Sequence, residues 1–330
     1  MSRRIAFLFS GQGSQYYQMG RGLYEHNAVF RASMDRMDRA AQALLGEPVV
    51  PVLYGARGKG DGFDDIRLTH PAIFMVEYAL AATVIEAGLR PDLTLGSSLG
   101  TFAALAVAGG LTADEALTLV VRQGLLIDRQ CPRGGMIAIL GDVRLFEDSP
   151  FLQARAAVAA RNFASHFVLS APQENLGAIE AFLGRVGVAH QRVPAPFPFH
   201  APWIEPMREA FIEVCPGRRV RPSGLPVVCC ALGGMLCDLQ ADVADDYFWQ
   251  VARREIRFMQ AIEGLESGGA IDYVDLSPSG TLASFLKYLL PASSASRAWS
   301  AMSPFGRDAE VLAAVVSQLL PGRMAATVGG

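Results

Sequence analysis

The chain has 330 residues, enough for a large buried core and for one big domain with a smaller one beside it. Hydrophobic residues make up 51% and charged residues 18%, a balance that excludes long disordered tails. The net charge of −3 speaks against nucleic-acid binding, although Arg218, Arg219 and Arg221 form a local basic cluster that could meet an acidic partner.

Ser2-Arg3-Arg4 is a positive start, but the apolar run Ile5-Ala6-Phe7-Leu8-Phe9 is too short for a secretory signal. The longest later apolar stretch, about Leu225 to Cys237, is shorter than a membrane span. Five cysteines (Cys131, Cys215, Cys229, Cys230, Cys237) include no CxxC pair. The chain therefore reads as a cytoplasmic, monomeric protein with reduced buried thiols and with neither a metal site nor membrane contact.

Ile5 to Phe9 suits a buried parallel strand. Ser10-Gly11-Gln12-Gly13-Ser14-Gln15 then forms a glycine turn able to aim backbone N–H groups at a ligand, and helical spacing begins near Tyr17. His70-Pro71 opens a helix with Pro71 in its first turn, carrying Ala72, Met75, Val76, Leu80, Val84 and Ile85 at helical spacing. Pro91 to Leu95 is a short strand, Gly96 to Gly100 a turn, and Phe102 to Val107 a helix that stops at Gly109-Gly110. Thr112-Ala113-Asp114-Glu115 is a capping box for a helix running to about Gln130.

From Pro132 to Pro196 the pattern changes to strand, helix, strand, strand, helix, strand. The strands fall near Met136–Leu140, Ala157–Ala160, Phe167–Ser170 and Ala189–Val193, and the second helix runs from Asn175 to Val186. A helix follows from about Pro202, a strand at Val227–Cys230, a helix near Asp242–Ala252, a strand at Ile271–Leu276 and a helix to Leu290. The tail from Pro321 is expected to fray. The alternation predicts an α/β fold with a parallel sheet wrapped by helices.

Gly96-x-Ser98-x-Gly100 between a strand and a helix fits the nucleophile-elbow pattern. A sharp turn there would lift the serine Oγ above the sheet and free the Leu99 N–H to hold an oxyanion. The same five residues also suit a plain Gly/Ser turn. A serine needs a base, and the chain has five histidines. His200 lies in the rigid apolar loop Pro196-Phe197-Pro198-Phe199-His200-Ala201-Pro202, which suits an oriented neutral imidazole and equally a packed one.

Taken together, the Ser10–Gln15 turn, the Ser98 elbow and Phe199-His200, in this order and spacing, resemble the acyl-carrier-protein acyltransferases, the malonyl transacylases and polyketide synthase acyltransferases among them. His70-Pro71-Ala72, Asn162 before Phe167-Val168-Leu169-Ser170, Trp203 to Met207, Ile256-Arg257-Phe258 and Asp275-Leu276-Ser277-Pro278 fit as well. The resemblance implies an α/β-hydrolase-like large domain (1–130 and 197–320) with an inserted ferredoxin-like subdomain (131–196) and the active site in the gap between them. It implies Ser98 as nucleophile, His200 as base, Gln12 and Leu99 as N–H donors to the oxyanion, and a backbone carbonyl near Val251 orienting the imidazole. No bound cofactor is implied. The substrate would be an acyl thioester carried on coenzyme A or on the 4′-phosphopantetheine of an acyl carrier protein, the expected partner.

Several positions depart from that pattern. Malonyl-transferring members carry an arginine 25 residues after the nucleophile, which pairs with the malonate carboxylate. Here that position is Gln123, which leaves a buried carboxylate without a counter-charge. The adjacent Arg122 is rotated about 100° around the helix. Ser97 stands where members usually have His, and Thr101 where they have Glu. His70 replaces a common Gln, either as a second polar group near the site or as a simple helix-start residue. Phe197 and Phe199 occupy the segment that tracks acyl choice, and Asn162 joins the expected lining. The expected activity is that of a discrete acyl hydrolase acting on stalled, non-carboxylated acyl thioesters of a polyketide assembly line. The alternatives are transfer of a neutral acyl unit, malonyl transfer despite Gln123, and an idle carrier-protein-binding subunit.

Overall fold

The computed structural model describes residues 3–216, 220–221, 224–235 and 244–327, so Arg218, Arg219 and Cys237 lie outside the described residues. Ten strands are described: β1 (Arg4–Phe9), β2 (Leu93–Gly96), β3 (Gly134–Leu140), β4 (Ala157–Phe163), β5 (His166–Pro172), β6 (His190–Val193), β7 (Val227–Cys229), β8 (Gly234–Met235), β9 (Ile271–Asp275) and β10 (Arg297–Ser300). They form two sheets, one of order β10-β9-β1-β2-β7-β8 and one of order β4-β5-β3-β6.

The larger sheet is parallel from β10 to β7, with β8 added antiparallel at the edge. Its central strand β1 is apolar on both faces because both are covered. Ile5, Phe7 and Phe9 enter the main core with helix Ile66–Glu86. Ala6 and Leu8 point the other way, to Phe258, Ile262, Leu265 and Leu286. The Ile66–Glu86 helix owes its apolar composition to this position, and nearly all of its residues are buried.

The smaller sheet is antiparallel throughout. Its strands read with period two, so its faces separate cleanly. Ile137, Ile139, Phe167 and Leu169 pack against Leu176, Ile179 and Leu183 of helix Gln173–Arg185. Met136, Ala138 and Val168, on the opposite face, line a cavity shared with the larger sheet. A bridge between Ala160 and Ile256 ties β4 to the larger unit through Arg161 N–H to the Ile256 carbonyl and Ile256 N–H to the Ala159 carbonyl, each 2.8 Å.

Several expected boundaries move: helical structure begins at Arg21 and not near Tyr17, and the helix expected near Asp242–Ala252 is Tyr247–Arg253, Asp242 lying outside the described residues. The helix predicted to open at His70 begins a turn earlier, at Ile66, because the Asp65 side chain accepts from the Arg67 N–H and caps it there. Pro71 therefore sits inside the helix, not in its first turn. Of the tail expected to fray over Pro321–Gly330, residues 321–327 continue the helix Asp308–Thr327, and 328–330 lie outside the described residues. The Thr112 capping box forms as read, with reciprocal Thr112 and Glu115 contacts.

Candidate active site

The cavity opens at the C-terminal ends of β1, β2 and β9, beneath the smaller sheet, and has a volume of about 350 Å³. Ser98 sits in it on the turn after β2, and helix Gly100–Ala108 begins two residues later. The turn is tight. A Cβ on Gly96 would lie 2.6 Å from the Thr101 nitrogen, and one on Gly100 would overlap the Phe9 and Ser10 carbonyls. A Cβ on Gly11 would come within 2.8 Å of the Ser98 Cβ. Only glycines let these three segments close on one another. Ser98 has φ 55° and His200 φ 57°, left-handed conformations that L side chains adopt at a cost of about 1–3 kcal/mol each.

The Ser98 Oγ lies 2.8 Å from His200 Nε2, although 102 positions separate them in sequence. His200 Nδ1 lies 2.8 Å from the Arg254 carbonyl oxygen. Nδ1 must donate there, so Nε2 is left as the acceptor facing the serine. The orienting group is thus Arg254 and not Val251. Val251 lies inside helix Tyr247–Arg253, where carbonyls run along the axis, whereas Arg254 is the extended C-cap and turns its carbonyl outward. His200 is buried, and burial lowers its pKa to about 4, with the Arg254 contact opposing and the Arg253 charge reinforcing the shift. The imidazole is neutral at physiological pH and can take the serine proton as Oγ attacks a carbonyl carbon.

Gln12 and Leu99 both line the cavity beside Ser98. Among the described residues neither backbone N–H has a hydrogen-bond partner. Gln12 is held by Thr69 Oγ1, which donates to its side-chain oxygen at 3.2 Å. Ser10, two residues earlier, donates both its N–H (2.7 Å) and its hydroxyl (3.1 Å) to Glu77 Oε1. Gln15 closes the same turn by accepting from the Gly13 N–H and donating to the Pro194 carbonyl, each at 2.7 Å.

Of the residues read as lining, Ser97, His70, Gln123, Asn162 and Phe199 all reach the cavity. Phe197 does not. It is fully buried behind Phe199, with Arg133 over its ring at 4.5 Å, and the chain turns between the two rings, the Phe199 N–H donating to the Phe197 carbonyl at 3.0 Å. Arg122 does not line the cavity either, since the helix rotation that buries Gln123 turns its neighbour aside. Gln123 is 5% exposed and His70 1% exposed, and burial drives the His70 pKa down to about 3, so both are neutral. Arg192 at the rim is held in a double contact by Glu180, both at 2.6 Å. Sequence reasoning missed Glu77, the Arg254 carbonyl, His166 and Phe285. His166 pairs with Asn162 at 3.0 Å and packs 5.0 Å from the Phe285 ring at the mouth.

The acyl transferase domain family matches residues 6–299. The chain belongs to that family. Acyltransferases of this kind work through an acyl-serine intermediate. The chain is 39% identical to the polyketide biosynthesis acyltransferase homolog BaeD of Bacillus velezensis, over 98% of this chain and 99% of that protein. It is 37% identical to the acyltransferase homolog PksD of Bacillus subtilis, over 93% and 94%. Among solved structures, the acyl transferase domain of SpnD in complex with 2-(pent-4-yn-1-yl)malonyl superposes with a TM-score of 0.87 at 28% identity, covering 98% of this chain and 77% of that one. The fold is also that of MCAT from Streptococcus pneumoniae, at TM-score 0.78, 23% identity and coverage of 96% and 100%. This acyl transferase therefore has an α/β fold with a parallel sheet, as the element pattern predicts.

Proposed function

We propose that this acyltransferase is a discrete, trans-acting acyl hydrolase of a polyketide assembly line. It would remove non-carboxylated acyl groups from acyl-carrier-protein thioesters. The observation that carries this reading is the neutral lining around Gln123 and His70. A carboxylate placed there would lose its hydration and find no free counter-charge, at a cost of several kcal/mol. A short uncharged chain would instead lie against Met136, Ala138, Ala160 and Val168.

In this reading Ser98 Oγ attacks the thioester carbon while its proton passes to His200 Nε2. The Gln12 and Leu99 N–H groups hold the oxyanion. The C–S bond breaks, the thiol leaves with the proton, and the acyl group remains on Ser98. Water then attacks, giving its proton to His200, and the free acid departs as Ser98 is reprotonated. No metal or cofactor takes part. The antiparallel unit over residues 131–196 acts as the inserted ferredoxin-like lid, and the pantetheine arm enters past His166 and Phe285.

The decisive experiment isolates acyl-Ser98 enzyme from an acetyl thioester and follows its decay. Hydrolysis predicts loss in buffer alone, at a rate little changed by added carrier protein. An adduct that persists until a carrier thiol arrives would make the protein a transferase and overturn this reading.

A further inference from the structure

One carboxylate in the structure has no part in the chemistry described above. Glu77 lies midway along the Ile66–Glu86 helix, is fully buried, and neighbours Phe74, Met75 and Val76 in an apolar stretch. Burying a carboxyl group among such neighbours is costly. Both Ser10 donors converge on one of its oxygens, Oε1, while Oε2 has no partner among the described residues. The charge of Asp275 also acts on it, and the Asp275 oxygens accept from the Ser277 and Ala283 N–H groups at 2.9 and 2.8 Å. Burial pushes the Glu77 pKa well up, against the two Ser10 hydrogen bonds, which lower it.

Its location makes this more than a core contact. Ser10 is the first residue after β1. Gly11 follows and lies so close to Ser98 that a Cβ there would sit 3.2 Å from the nucleophile oxygen. Gln12 comes next, with its unpaired N–H. The Ile66–Glu86 helix therefore grips this turn at two points, Glu77 on Ser10 and Thr69 on Gln12.

We propose that Glu77 is a positioning residue for acyl transfer, fixing the Ser10–Gln12 turn so that the Gln12 N–H faces the oxyanion formed at Ser98. The proposal rests on Ser98 being the acylated residue. What Glu77 must supply is an oxygen acceptor for the two Ser10 donors, which glutamine also offers and leucine does not.

The test measures single-turnover acylation by an acetyl thioester in wild type, E77Q, E77L and S10A, with the fraction folded checked by thermal melting. E77L should lower the acylation rate constant about ten- to a hundredfold at unchanged thioester affinity, the range expected when a reacting group shifts by an ångström or less. E77Q should recover the rate to within about threefold, because the acceptor is restored. S10A, which removes one of the two donors, should lose less than E77L, and adding E77L to S10A should cost less than the two losses combined. A purely structural role predicts a lower melting temperature with a normal rate per folded enzyme. That result would overturn the proposal, as would E77Q failing as badly as E77L. Should E77L not fold, S10A with a normal rate constant would overturn it equally. Absence of any Ser98 adduct in the wild type would instead remove the acyl-enzyme reading on which the proposal rests.

Discussion

Ser98 and His200 meet across 102 positions of sequence, and both hold left-handed backbone conformations that few side chains accept. Strain of this kind persists where surrounding packing over-determines it, and here it aims two side chains at each other. The imidazole is also deeply buried, and its environment disfavours the charged form. A base must be neutral to accept a proton, and with its pKa lowered to about 4 His200 is neutral above that pH. The sign follows directly: acylation should stay level as pH falls from 8 to about 5, and halve near pH 4, where an unperturbed histidine would already halve it near 6.5. Rapid-quench acylation across this range, with circular dichroism to exclude acid unfolding, checks it. His200→Ala should cost about 10²–10⁴-fold and abolish the acid limb.

At the scale of elements, the site depends on loops that close without side chains between them. The Gly100 backbone lies directly against Phe9 and Ser10, so β1 and the elbow helix can approach only through glycine. Gly100→Ala should therefore destabilise the fold by about 1–3 kcal/mol or more. Gly177, inside helix Gln173–Arg185, has open space where a Cβ would go. Gly177→Ala should stabilise by about 0.5–1 kcal/mol. Urea unfolding of the two variants measures the contrast, and equal effects would mean that the Gly100 contact is not tight. These elements were legible because their signals are local: GxSxG, the capping box at Thr112 and the period-two strands of the smaller sheet each lie within a short window. The Ile66 start was misplaced because Asp65 capped the helix before Pro71 could mark its beginning. Glu77 had a readable signal in a lone carboxylate within Phe74-Met75-Val76-Glu77-Tyr78-Ala79-Leu80, but its partner at Ser10 is 67 positions away.

For the molecule as a whole, function sits where two sheets of different construction face each other. The parallel sheet supplies Ser98 and the turn at Gln12, and the antiparallel sheet supplies an apolar roof. The Ala160–Ile256 bridge ties β4 of the smaller sheet to the segment just after the Arg254 carbonyl, which meets His200 Nδ1. Sequence alone named Ser98, His200 and much of the lining, but missed His166 and Phe285 at the cavity and the groups that orient the site. The Arg254 carbonyl belongs to the backbone, and where a helix ends by a residue or two decides which carbonyl is free. Phe197 was misassigned for a related reason, since a backbone turn between it and Phe199 sends the two rings different ways. The central claim is that Ser98 carries the acyl group and that the pocket around Gln123 refuses a carboxylate. Intact-protein mass spectrometry after mixing with acetyl and malonyl thioesters tests both at once. The account predicts an acetyl adduct absent from Ser98→Ala, little malonyl adduct in the wild type, and a malonyl share that rises in Gln123→Arg. Strong malonyl loading of the wild type, or an adduct that survives the loss of Ser98, would contradict it.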